Sequence, residues 1–237
     1  MSALLMAAEA GFTVNGPLVV ASFDLFGITF NITESVVIQW IVILMLLVLF
    51  LVLTHKMEVI PKTRRQAIAE MLVGFVQDMV DTGMGKKYKA YTPYIGALLC
   101  FILINNLMSL LGLRNPTADV SVTGSFALIT FALTQYNRAK TGKVKGYLKA
   151  FIEPLPFMLP FNIIGEFSNP LAQALRLFGN MTAGMVIGGL LYFALGSFAI
   201  LVPAVASLYF DIFSAVMQAY IFAMLTMAYV SGSECEE

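Results

Sequence analysis

Residues 36–54, VVIQWIVILMLLVLFLVLT, run for nineteen positions without a charge. A helix needs about 20 such residues to cross the roughly 30 Å hydrocarbon layer of a bilayer. Further apolar stretches follow at Pro93–Leu113, from about Val120 to Tyr136, at about Leu159–Leu195 and at about Ile200–Tyr229. Backbone polar groups in lipid must be satisfied within the segment, which restricts such stretches to helices. The expectation is an all-α polytopic membrane protein with five membrane-crossing helices. Composition agrees: 59% of the 237 residues are hydrophobic and 12% are charged, where a soluble domain carries about 25% charged residues.

The remaining segments set domains and orientation. Residues 1–35 contain Glu9, Asp24 and Glu34 and no Lys or Arg, and read as an extracytoplasmic leader on the membrane surface. Residues 36–237 form a single integral membrane domain. In Gln66–Val80, Ile68, Met71, Leu72, Phe75, Val76 and Met79 fall on one helical stripe, with Glu70, Gln77 and Asp78 off it. This is one interfacial amphipathic helix. Segments 55–65, 86–89 and 138–149 are basic, the last read as a loop, and the positive-inside rule places them in the cytoplasm. The N-terminus of this multi-pass membrane protein then lies outside and its C-terminus in the cytoplasm. The last two stretches, about 159–230, exceed one perpendicular crossing, so they are expected as a long, strongly tilted hairpin.

Chemistry is sparse. Net charge is zero, with nothing to attract nucleic acid. Cys100 and Cys235 have no metal spacing, His55 stands at the end of an apolar run, and no phosphate-binding glycine loop occurs. No cofactor, metal or catalytic residue is expected. Asn105 and Asn106 are expected to bond between helices.

What demands an explanation is Arg176, in the Gly-rich apolar run PLAQALRLFGNMTAGMVIGGLLYFALG. A guanidinium at a bilayer centre costs about 2.5–3.5 kcal/mol on insertion scales, and intramembrane ionisable groups usually mark ion paths. Gln173, Arg176 and Asn180 share a helical face, with Glu166 about three turns earlier and rotated some 80° from Arg176. The final stretch carries Asp211 and Gln218, seven apart. The bland alternative is a structural ion pair of Arg176 with Glu166 or Asp211. Gly179, Gly184, Gly188 and Gly189 permit a close neighbour.

EPLPFMLPFNIIGEFSNPLAQALRLFGNMTAG, with the later MQAYIFAMLTMAYV, closely resembles the a subunit of bacterial F-type ATP synthases. The resemblance implies a stator with two half-channels carrying protons or sodium ions to and from carboxylates of a c-subunit ring. It implies a b-subunit peripheral stalk and the rest of the synthase as partners. Arg176 matches the arginine between the half-channels, Asn180 and Gln218 its polar companions, and Tyr229 a tyrosine late in the last helix. Relatives often have carboxylates or histidine where this chain has Met185, Asp211 and Asn162. Asp211 is therefore expected in the outer half-channel and Glu166 in the cytoplasmic one. The competing reading, a stand-alone secondary ion or anion transporter, usually brings internal repeats, and none is seen. The coupling ion is not legible, since selectivity should depend mostly on the ring.

Overall fold

The computed structural model describes residues 19–25, 28–55, 58, 63–111, 113, 115–152, 157, 159–195 and 202–233. Side chains at 23, 25, 28–30, 142–152, 189–195, 202–207, 209 and 210 are outside the description. So are the first half of the leader and the acidic end of the tail.

Two strands precede the helices, β1 (Val19–Leu25) and β2 (Ile28–Thr33), paired antiparallel with Ser22 opposite Asn31. The strand pair adds a small β element to the otherwise all-α expectation. Val19, Val20, Ile28, Thr29, Ile32 and Thr33 are β-branched and favour extended backbone.

α1 (Glu34–Thr54) starts directly after β2, with Glu34 complementing the positive end of the helix dipole. It buries one line, Ser35, Ile38, Val42 and Leu46, and leaves Trp40, Ile41, Leu44 and Leu47 exposed. A helix apolar on every side and buried on one is suited to lipid. α2 (Arg64–Gly83) is capped by Thr63, whose hydroxyl accepts from the Gln66 amide at 3.4 Å. Val76 and Val80 pack inward, while Ile68, Met71, Leu72 and Phe75 stand exposed. α2 ends before Gly85, whose φ of 91° favours glycine, and a 3-10 turn (Lys86–Tyr91) leads into α3 (Thr92–Leu107).

α4 (Val120–Ile152), α5 (Leu159–Leu195) and α6 (Val202–Gly232) have 33, 37 and 31 residues. At 1.5 Å per residue they measure about 50, 55 and 46 Å. The basic stretch expected as a loop at 138–149 is the second half of α4. It has no proline, and its Lys, Arg, Ala and Leu are good helix formers. High charge ends a membrane crossing, but it does not end a helix. Among the described residues, Glu34–Thr54, Lys86–Leu111 and Asp211–Gly232 are long and apolar enough to cross a membrane.

Three core clusters hold the helices. Ile38, Val42 and Leu46 of α1 meet Met108 beyond α3. Leu98 and Ile102 of α3 meet Leu177 of α5 and Ala219 and Phe222 of α6. Val80, Tyr88 and Ile95 meet Ala223, Met227 and Val230 of α6. Polar knots close both ends. Asn137 Nδ2 of α4 donates to the Val230 carbonyl at 2.9 Å and to Ser233 Oγ at 3.1 Å, and reaches Tyr88 Oη at 3.4 Å. This gathers the basic 86–89 turn, the middle of α4 and the end of α6. At the other end Thr117 lies 2.8 Å from Asn106 Oδ1, and Asn115 reaches Met181 of α5. Asn105 bonds the Phe101 carbonyl of its own helix, not another helix as expected.

Candidate ion-translocation site

Three polar residues of α5 recur every seven positions, and each turns toward a neighbouring helix. Glu166 Oε1 accepts from Gln135 Nε2 and Oε2 from Arg138 Nη1, both at 2.7 Å, from α4. Gln173 Nε2 donates to Thr226 Oγ1 at 3.1 Å and to the Phe222 carbonyl at 3.3 Å, on α6. Asn180 Nδ2 donates to Gln218 Oε1 at 2.6 Å, also on α6. Seven residues advance a helix by nearly two full turns, so the three form one seam about 21 Å long.

Arg176 lies off this seam. It is exposed, and among the described residues it pairs with neither Glu166 nor Asp211. This overturns the structural ion pair and splits the face expected to hold 173, 176 and 180 together. Gln173 is 1% exposed and turned inward, and Arg176 faces out. The side chains next to Arg176 on the outer surface are small. Ala172, Gly179 and Ala183 are exposed, and a Cβ built on Gly179, Gly184 or Gly188 would meet nothing within 4 Å. Among the described residues, nothing packs where these glycines lack a side chain. Gly189 lies outside the described side chains. Leu171, Leu175, Ile187, Val216 and Tyr220 continue this exposed surface with apolar groups.

Asp211 is half-buried near the start of the described side chains of α6, two turns before the buried Gln218. Toward the other end, Thr130, Thr134, Arg138, Glu166, Gln173 and Tyr229 line a cleft between α4, α5 and α6. Thr130, Thr134, Gln135, Arg138 and Thr226 were not singled out from sequence. Arg138 was absorbed into a presumed loop. The signal that could have found it is Gln135 and Arg138 at i, i+3 on a continuous helix.

An exposed cation on an apolar, small-residue helix face, with no ion pair to Glu166 or Asp211 among the described residues and backed by a polar seam between two long helices, defines a helical membrane protein with charge set into its apolar surface. The family model described as "ATP synthase A chain" matches residues 36–231. The chain belongs to that family, the ion-translocating, non-catalytic stator subunits of F-type ATP synthases. Its relatives include "ATP synthase subunit a, sodium ion specific" of Propionigenium modestum, 40% identical over 220 residues, covering 86% of this chain and 75% of the relative. "ATP synthase subunit a" of Legionella pneumophila (strain Philadelphia 1) is 33% identical, covering 85% of this chain and 86% of the relative. The Bacillus subtilis (strain 168) protein is 33% identical, covering 89% and 95%.

Proposed function

We propose that Arg176 is the fixed charge between two half-channels, and that the exposed face of α5 and α6 around it receives a ring of c subunits. The observation that carries this is an exposed guanidinium that pairs with neither Glu166 nor Asp211, among glycines that no described residue fills. A ring carboxylate passing Arg176 is stabilised in its charged form, and ions are repelled from leaking straight across. Asp211 serves the outer half-channel and Glu166 the cytoplasmic one, with Gln173, Asn180 and Gln218 joining α5 to α6 between them.

In this reading α1, α3, α4, α5 and α6 cross the membrane and α2 lies in the interface with Ile68, Met71, Leu72 and Phe75 in lipid. Residues 1–35 are outside, residues 36–237 are one membrane domain, and the C-terminus is cytoplasmic. The Asn137 knot supports this, because it brings the basic 86–89 turn beside the start of the basic 138–149 segment, as the positive-inside rule requires. At about 55 and 46 Å, α5 and α6 fit a roughly 30 Å layer by tilting. A b-subunit stalk completes the stator.

The test is ATP synthesis and passive ion permeability of the whole complex in proteoliposomes, with and without sodium. Sodium is the first ion to try, since one relative's name calls it sodium ion specific. Arg176→Ala is expected to abolish synthesis and open a passive leak. Arg176→Lys, which keeps charge but loses the planar fork, is expected to be severely impaired. Normal synthesis by Arg176→Ala would refute the assignment.

A further inference from the structure

The cleft between α4, α5 and α6 has a volume of about 140 Å³. That is room for several water molecules. Thr130, Thr134, Glu166, Asn169 and Tyr229 bring oxygen to its walls, beside the Arg138 guanidinium and the apolar Phe131 and Ala228. Bonds within the walls consume donors and spare lone pairs. The Thr134 hydroxyl donates to the Thr130 carbonyl at 2.9 Å. Gln173 commits Nε2 to the Phe222 carbonyl and to Thr226 Oγ1. Pro170, also in the wall, has no N–H to offer the carbonyl four residues earlier, which is that of Glu166. Oxygen-rich walls of this kind suit a hard cation with part of its water shell.

Charge sets how tightly such a cation is held. Glu166 alone would be a trap. Arg138 Nη1 lies 2.7 Å from its Oε2, and a guanidinium does not give up its proton. The pair is formally neutral, so lone pairs and partial charges are left to attract a cation, too little for a divalent ion. A conducting site must bind firmly enough to be filled and weakly enough to be emptied.

We propose that this cleft is a shallow transit site for a partly hydrated monovalent cation, hydronium or sodium, with Glu166 and Thr134 as ligands. Arg138 is the positioning residue that keeps the site shallow. The inference rests on the reading of this end of α5 as the cytoplasmic half-channel.

The experiment is ATP-driven pumping by the whole complex in proteoliposomes, which draws ions from the cytoplasmic side. One arm varies sodium at fixed pH and the other varies pH without sodium. The arm to which the wild type responds identifies the ion. Arg138 and Tyr229 are the titratable groups of α4 and α6 in this cleft. Arg138→Gln is expected to lower the half-saturating ion concentration several-fold and to lower the maximal rate several-fold, because the ion is held. Adding Glu166→Gln to it is expected to raise both above the single variant. Arg138→Lys should fall between wild type and Arg138→Gln. Thr134→Val, nearly isosteric, should raise the half-saturating concentration more than it lowers the maximal rate. A merely structural ion pair would reduce rate without moving half-saturation. An unchanged half-saturating concentration in Arg138→Gln, or a double variant no faster than the single, overturns the proposal. Should Arg138→Gln fail to assemble, an unmoved half-saturation in Thr134→Val overturns it. A wild-type complex that pumps nothing would instead defeat the half-channel reading.

Discussion

Asn180 Nδ2 donates to Gln218 Oε1 at 2.6 Å, tying α5 to α6 one turn beyond Arg176. Gln218 is 3% exposed and Asn180 is exposed, so one end of the bond faces the outer surface and the other faces the helix interface. It leaves the Asn180 carbonyl oxygen and the second amide hydrogen for water or an incoming group. Such a neutral bond contributes about 0.5–1.5 kcal/mol net, and more is lost if one buried partner is left alone.

We therefore predict that Asn180→Leu destabilises the complex more than Asn180→Leu/Gln218→Leu does, because only the single variant strands the buried Gln218. Thermal stability of the purified complex should fall in the single variant and recover partly in the double, whereas synthesis should stay low in both. Equal stability of the two variants would show that the bond does not hold α5 to α6.

Gly179 separates folding from docking. A side chain there meets nothing within 4 Å, and leucine is a better helix former than glycine by about 0.8 kcal/mol. Gly179→Leu is expected to leave the chain folded and membrane-inserted while ring co-purification and synthesis are lost. Gly96→Leu is the contrast, because its Cβ would already sit 3.4 Å from Val76, and it should lower the yield of folded chain. Full ring association in Gly179→Leu would show that this face receives no close partner.

Much of the fold is legible in the sequence for a simple reason. Lipid demands long apolar runs, and these stand out without any knowledge of tertiary contacts. Boundaries set by charge are less legible, because Arg138 to Lys149 continues a helix into water, and composition there signals exposure rather than backbone. The seam illustrates the other limit. Positions 166, 173 and 180 repeat every seven, yet Glu166 was set apart by its rotation from Arg176. Its partner Arg138 is 28 residues away, and no local pattern announces that pairing. Arg176 was legible because its cost in lipid has no local remedy.

Orientation is the next test. The exposed positions Thr63 and Ala139 lie in or beside basic segments, while exposed Leu113 lies at the opposite end, near the Asn115–Met181 contact. Cysteines at Thr63 and Ala139 are expected to react with impermeant maleimide from the cytoplasmic side alone, and one at Leu113 from outside alone. Ala118 is a poor probe, being 7% exposed. Labelling of Leu113 and Ala139 from the same side would break the proposed α4 crossing.

Asp211 distinguishes an ion path from a structural bond. It is half-buried on α6, two turns from Gln218 and on the same helical face. A carboxylate there can attract cations and exchange protons, or it can hold a neighbouring helix. Asparagine keeps the shape and the hydrogen-bonding capacity but cannot ionise. If the role is conduction, Asp211→Asn should assemble in normal yield and slow synthesis and ATP-driven pumping together by about a hundredfold or more, the lower end of what one acid–base group contributes. It should not produce the passive leak expected for Arg176→Ala, because the guanidinium barrier is untouched. Turnover and passive permeability of the intact complex, measured across external pH, decide the matter. Unchanged turnover at every pH would remove Asp211 from the path, and loss of assembly would assign it to holding the helices.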